Sequence, residues 1–253
     1  PKAPSAYNPI SNPKRARARQ LYIIERMEAN GFITPDQAGE AKLEELKLRP
    51  AHTPTQVHAE YVAEMVRQSM VAQYGDEAYT RGLVVTTSLR ANEQEAAYRA
   101  LRQGILDYER RQVYRGPELF ITLPADSAAR DEAIDEALAE RPDNDDLFAA
   151  VVLEASPRKV IAIRQDGDPL EITGEGLRPA MSGLSEKAGP NIKIRRGAVI
   201  RVIKTGPAAW RISQLPEVES AFVAMDPRNG AVRALVGGFD FQKNKFNHVT
   251  QAW

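Results

Sequence analysis

The chain reads as an α+β protein: helices first, then a compact set of short strands, then a two-stranded hairpin at the end. Three observations carry this. Apolar residues recur at helical spacing between Pro and Gly breakers through residues 13–110. From 148 to 214 the apolar runs become short and are separated by Gly- and Pro-containing turns, the pattern of a small β-barrel. Finally, Ala221–Met225 and Ala231–Val236 flank Asp226-Pro227-Arg228-Asn229-Gly230, a hairpin signal.

The elements follow in order. Residues 1–12 are rich in Pro and Asn and read as an extended lead-in. A first helix takes Asn12 as N-cap and Pro13 as its first residue, carries Leu21, Ile24 and Met27 on one stripe, and stops at Asn30-Gly31. A second starts at Thr34-Pro35 with Gln37 completing a capping box, and runs to about Leu48, before the breaker Arg49–Pro54. A third is expected over Thr55–Tyr74, with Val57, Tyr61, Val62, Met65, Val66 and Met70 on a wide face and Gly75 at its end. Leu83–Leu89, rich in β-branched residues, is expected as a strand. A fourth helix, Asn92–Tyr108, aligns Ala97, Leu101, Ile105 and Tyr108. An acidic helix near Ser127–Glu140 precedes expected strands at Phe148–Leu153, Lys159–Arg164, Leu170–Thr173, Ile192–Ile194, Ala198–Lys204 and Trp210–Gln214, with Asp166-Gly167-Asp168-Pro169 as a tight turn. The terminal hairpin is apolar and β-prone, and by itself would present unpaired backbone groups.

Composition bounds the function. The chain has 253 residues, with 34 basic and 34 acidic side chains, so no global field draws it to nucleic acid or membrane. The balance is local: residues 118–146 hold ten acids and two bases, and residues 150–216 hold eleven bases and six acids. Cysteine is absent, which excludes a disulfide framework, thiolate ligands and a cysteine nucleophile. No run of eighteen apolar residues occurs.

Two basic groups are candidate surfaces. Lys14, Arg15, Arg17 and Arg19 crowd the first turns of the first helix, where cations oppose the helix dipole by roughly a few tenths of a kcal/mol each; they read as a solvated face paired in part with Glu25 and Glu28, or as a membrane-proximal position. Lys193, Arg195, Arg196, Arg201 and Lys204 fall in the barrel segment; they read first as a solvated face, and alternatively as a surface for an acidic partner or an anionic glycan. Nucleic acid is not expected, because single-strand binding needs stacking rings and residues 150–216 hold one Trp, Trp210, and no Phe. His52, His58 and His248 are scattered without ligand spacing, and Asp143, Asp145 and Asp146 lack the glycine and distal glutamate of a calcium loop. Gly174-Glu175-Gly176 and Gly237-Gly238 lack the setting of a phosphate loop. No metal and no cofactor are expected.

Six motifs, in order, carry a family resemblance. They are Pro1–Pro9; Asn12-Pro13 through Gly31-Phe32-Ile33-Thr34; Gly82-Leu83-Val84-Val85-Thr86-Thr87-Ser88-Leu89; Tyr114-Arg115-Gly116-Pro117; Asp226–Gly230 with Ala234-Leu235-Val236-Gly237-Gly238; and Phe246-Asn247 with Thr250 and Ala252. Together they resemble the class A penicillin-binding proteins. His248 departs from the arginine of many members. The resemblance implies a glycosyltransferase–transpeptidase connector over 1–54, the first part of a transpeptidase domain over 55–117, an inserted OB-like β-barrel over 118–217, and the start of the transpeptidase sheet over 218–253. It implies a parent that polymerises lipid-linked disaccharide and crosslinks peptide stems, at the periplasmic face of the inner membrane, with export signal and anchor upstream. Other cell-wall synthesis or regulatory proteins, or peptidoglycan itself, are the implied partners. The family's acylated serine sits in Ser-x-x-Lys, expected beyond Trp253; within the chain, Ser182-Gly183-Leu184-Ser185 is followed by Lys187, out of register. No catalytic residue is therefore expected here. The alternative is a free-standing OB-like module that binds a partner protein or a glycan.

Overall fold

The computed structural model describes residues 7–10, 13–44 and 57–252. It divides into two compact units: Pro1–His52 with Val113–Leu215, and Thr53–Gln112 with Pro216–Trp253.

In the first unit, α1 (Pro13–Ala29) and α2 (Pro35–Leu43) form a helical pair. Gly31, at φ 73°, ends α1 in the left-handed region that glycine tolerates. The Thr34/Gln37 capping box forms in both directions, the Gln37 amide donating to Thr34 Oγ1 at 3.3 Å and the Thr34 amide to Gln37 Oε1 at 2.9 Å. Asn12, expected as the N-cap of α1, and the continuation of α2 to Leu48 lie outside the described residues.

The rest of this unit is an antiparallel sheet around α5 (Ser127–Glu140). Its strands are β1 (Leu119–Phe120), β2 (Leu147–Ala155), β3 (Lys159–Ile163), β4 (Pro169–Thr173), β5 (Ala198–Lys204) and β6 (Trp210–Ser213). The order is β1-β5-β2-β3-β4, and β6 also pairs with β5. β1 and β6 follow one another along one edge of β5, at Ala198–Val199 and Arg201–Lys204, while β2 occupies the other edge. β2 is the longest strand, and a bulge between Val152 and Glu154 lets it bend from β5 towards β3.

The core explains why β2 and β5 read as unbroken apolar runs rather than alternating ones. Ala150, Val152, Ile200 and Val202 face a core shared with Val160, Ile172 and Ile212. Their neighbours Ala149, Val151 and Val199 pack on Ile134, Ala137 and Leu138 of α5. Strands buried on both faces lose the period-two signal. The sheet is OB-like but does not close through a strand ladder. β4 and β6 are neighbours without pairing, and two 3-10 turns, Gly174–Gly176 and Arg178–Ala180, followed by α6 (Met181–Leu184), pack beside β6. The expected strand at Ile192–Ile194 does not form. That segment is a turn whose Ile194 amide bonds Gly183 O at 2.8 Å, so α6 takes the hydrogen bond a strand would have needed.

The second unit holds α3 (Glu60–Tyr74), α4 (Ala91–Glu109) and the hairpin β7 (Phe222–Met225) and β8 (Val232–Val236). The start of α3 expected at Thr55 lies outside the described residues. Leu83–Leu89 is extended but forms no strand; Val84 is 93% exposed. Its propensity is real, but a strand needs a ladder; among the described residues its end is held by Ser88 Oγ donating to Val232 O at 2.7 Å and the following Arg90 amide to Arg233 O at 3.0 Å.

β8 buries Ala234, Leu235 and Val236 against the unit's helices. At its outer edge the fully buried Gln94 of α4 stands in for a neighbouring strand. Its amide nitrogen donates to Leu235 O at 2.8 Å and its oxygen accepts from the Leu235 amide at 2.8 Å. Gly237 and Gly238 then meet Tyr61 of α3 so closely that a Cβ at Gly237 would sit 2.6 Å from the ring. The Tyr61 hydroxyl donates to Asn244 O at 2.8 Å. The hairpin is therefore docked rather than free. Its β7 side remains open, with Phe222, Val223 and Met225 exposed.

At the hairpin turn, Asp226 accepts from the Arg228 amide at 3.0 Å, from the Arg228 guanidinium and from Arg233 Nη2 at 2.7 Å. These bonds hold its carboxyl well below the usual carboxylate range, the Arg228 and Arg233 side chains being the main cause. A depressed folded-state pKa stabilises above the unfolded value of about 3.9 and is lost as pH falls below it. Asp226→Asn should therefore flatten the acid limb of the pH–stability profile below about pH 4, read by urea unfolding at a series of pH values; an unchanged acid limb would refute the assignment. Trimming the chain at Pro216 removes the cover of α4, and should lower solubility and promote association. Light scattering of the two lengths at equal concentration checks this, and a trimmed form that is the more soluble would contradict the docking.

Candidate functional site

The basic residues singled out in the barrel segment do not converge. Lys193, Arg195 and Arg196 lie on the loop that leads into β5, whereas Arg201 and Lys204 lie on β5 itself. Lys193 Nζ donates to Glu186 O at 3.3 Å, and Arg196 Nη1 to Leu153 O at 3.4 Å. The Arg195 guanidinium lies 4.6 Å from the centroid of the Phe120 ring, a cation–π distance.

Arg201 is a correction: it is 4% exposed and belongs to no surface. Its Nε and Nη2 grip Glu118 Oε1 and Oε2 at 2.6 and 3.1 Å, and Nη1 donates to Pro142 O at 2.7 Å. The alternation of β5 places Arg201 on the α5 side of the sheet with Val199, where the chain just before β1 and just after α5 supplies the acceptors. A buried cation is tolerated only when paired and fully hydrogen-bonded in this way. Arg201 thus ties the strand to both ends of the acidic segment. In the sequence it cannot be told from its exposed neighbours, because Glu118 is 83 residues away.

Trp210 is also committed. It meets Phe148 edge-on at 5.8 Å, and Arg164 lies 4.1 Å from the Phe148 centroid and 5.2 Å from that of Trp210, with Lys204 at 6.0 Å from the latter. Arg164 is held in turn by Asp166 at 3.1 Å and Asp143 at 4.0 Å. The ring that would have served as a stacking platform is already flanked by cations of this chain.

The four bases of α1 likewise have partners. Lys14 pairs with Asp168 at 2.8 Å. Arg15 reaches Asp131 at 3.5 Å and hydrogen-bonds Asp135. Arg17 donates to the carbonyls of Glu44 and Lys42, and Arg19 lies 5.8 and 5.2 Å from the rings of Tyr7 and Tyr22.

The serine expectation needs correcting. Ser-x-x-Lys spacing does occur in this chain, at Ser11–Lys14 and Ser156–Lys159. Ser11 lies outside the described residues. Ser156 sits in the β2–β3 turn, where its Oγ donates to Lys159 O at 3.0 Å and accepts from the amides of Arg158 and Lys159 at 3.3 and 3.0 Å. A lysine three residues on activates a serine when a helical turn stacks the two side chains; here the hydroxyl closes a hairpin instead. Among the described residues no group of three or more His, Asp or Glu is placed to hold a metal; His52 lies outside them. His58 and Glu60 are 3.9 Å apart at the start of α3. His248 fills its motif position by bonding Gly237 O through both its amide, at 2.9 Å, and its ring Nδ1, at 2.8 Å. In the second unit an open apolar groove runs between α4, at Ala100, Gly104 and Tyr108, and the chain entering β7, at Val218, Ser220 and Phe222.

Residues 114–218 match the penicillin-binding protein OB-like domain family. The whole chain aligns with penicillin-binding protein 1A of Neisseria lactamica at 42% identity, covering 32% of that protein, and with penicillin-binding protein 1A of Escherichia coli at 38% identity, covering 30%. It thus spans about a third of the length of these relatives. A crystal structure of penicillin-binding protein 1A from Haemophilus influenzae superposes with a TM-score of 0.67 and 29% identity, over 99% of this chain and 36% of that one.

If Arg201 is a tie rather than a surface residue, Arg201→Met should destabilise the first unit by about 3 kcal/mol, the low end for breaking a buried pair from one side. Lys204→Ala should stay within about 0.5 kcal/mol. Urea unfolding in a Trp253→Phe background, with Trp210 as the reporter, measures both; equal effects would refute the distinction.

Proposed function

We propose, from the premise that this chain belongs to the class A penicillin-binding proteins of the 1A type, that it is the non-catalytic middle of a bifunctional peptidoglycan synthase. In this reading the parent polymerises lipid-linked disaccharide and crosslinks peptide stems through a penicillin-sensitive serine. Residues 1–54 serve as the connector, 55–117 and 218–253 as the opening of the transpeptidase domain, and 118–217 as the inserted OB-like domain. The segment spaces and orients the two catalytic domains and offers the OB-like surface to other cell-wall synthesis or regulatory proteins, at the periplasmic face of the inner membrane.

One observation supports this most: the alignment with 1A-type proteins runs through every residue of the chain. The chemistry of the side chains agrees with it. Ser156, Arg201 and Trp210, which could have served as nucleophile, cation and stacking ring, are each used within the OB-like unit itself. Such a unit is suited to presenting a rigid shape, not to turning over a substrate.

The test is covalent labelling. Incubated with a fluorescent penicillin and then boiled in detergent, the chain should carry no label on a gel. A stoichiometric labelled band would place an acylated serine within these residues and overturn the reading.

A further inference from the structure

We propose that Lys14 and Arg15 form a two-point ionic clamp that docks α1 on the OB-like unit, so that the connector helix and that unit move as one body. A partner that displaces α5 or the β3–β4 turn would then be felt at α1. The inference rests on side chains within the first unit and does not depend on the catalytic reading of the relatives.

The argument begins with two local placements that are unfavourable alone. Lys14 and Arg15 stand in the first turn of α1, which carries no acidic residue, where the positive end of the helix dipole repels them. On α5, Asp131 and Asp135 are one turn apart, an i,i+4 pair of like charges that weakens a helix. Asp135 is also buried, at 8% exposure, and burial pushes its carboxyl pKa up while Arg15 opposes the shift. One contact relieves both. Arg15 spans the pair, hydrogen-bonding Asp135 through Nη1 and standing 3.5 Å from Asp131 through Nη2. Lys14 makes a second attachment at a different element, donating to both carboxylate oxygens of Asp168 in the β3–β4 turn at 2.8 and 3.2 Å. One attachment would leave α1 free to pivot; two on separate elements do not.

The attachments differ in strength. Lys14 and Asp168 are both largely exposed, and such pairs are screened by salt and weak. Arg15 is three-quarters covered and Asp135 more so. A guanidinium bonded to a buried carboxylate is the stronger arrangement, so Arg15 is the anchor and Lys14 the guide. When two local rules are broken and one long-range contact repairs both, that contact is part of the specified structure rather than incidental. The grouping of residues 1–52 with residues 113–215 in one compact unit agrees.

Because the chain has no cysteine, two can be placed at will. Nitroxide labels at Glu25→Cys on α1 and Glu136→Cys on α5, both exposed, report the distance between the helices by pulsed electron resonance. The clamp predicts one narrow distance population in the otherwise unaltered chain. It should broaden in Arg15→Gln and, less, in Asp135→Asn, which leaves the Asp131 contact, with the double variant no broader than Arg15→Gln alone, because that change already removes both carboxylate contacts. Lys14→Gln should broaden it less, and one that added salt already reproduces. Trp210 fluorescence confirms that the unit stays folded. Should Arg15→Gln unfold it, Lys14→Gln and Asp168→Asn, on the exposed arm, make an equivalent cycle. A broad distribution in the unaltered chain, or a narrow one that survives Arg15→Gln with Lys14→Gln, overturns the proposal, as does an additive double variant.

Discussion

The antiparallel pairing of β2 with β5 is the constraint on which the OB-like unit depends. Both strands are buried on both faces, by the strand-rich core on one side and by α5 on the other. A strand buried in this way cannot slip in register, because a shift by one residue would exchange the two packed faces. With that pair set, β3 and β4 follow by tight turns and β1 and β6 divide the remaining edge of β5. Arg201 enters this apolar layer because Glu118 and the Pro142 carbonyl meet it there. One bidentate ion pair fixes where the acidic segment leaves and rejoins the sheet.

The second unit relies on a different device. Its hairpin has only two strands, which in isolation are marginal in water. Gln94 supplies β8 with the hydrogen bonds of an absent neighbour, and the pair of glycines lets Tyr61 approach the end of the strand. Side chains of α3 and α4 thus complete what a wider sheet would otherwise provide. The opposite side, at Phe222, Val223 and Met225, keeps the apolar character of a strand that awaits a neighbour.

The internal ion pairs of the first unit agree with the proposed scaffold role. Arg201, Arg15, Arg164 and Lys14 are spent on Glu118, Asp131, Asp135, Asp166 and Asp168. Spending charge internally gives rigidity, which the proposed spacing of two catalytic domains would require. Tied by its own bases to the OB-like unit, α1 fits the proposed connector role better than a loose tether would.

Much of this was legible along the sequence. The capping box at Thr34, the acidic helix at Ser127–Glu140, the Asp166–Pro169 turn and the terminal hairpin all rest on interactions between residues within a few positions of each other, so local chemistry decides them. What the sequence could not decide involves partners far along the chain. Leu83–Leu89 has strand propensity but no ladder, and Ile194 gives its amide hydrogen bond to Gly183 of α6. Arg201 and Lys204 look alike in sequence and differ because Glu118 lies beside only one of them. The bases of α1 read as a solvent- or membrane-facing cluster until tertiary structure brings Asp131, Asp135 and Asp168 to them across more than a hundred residues. Short-range propensity sets where helices and turns form; whether a charge is a surface feature or a tie is decided by the burial and counter-charge that folding delivers, which no local pattern encodes.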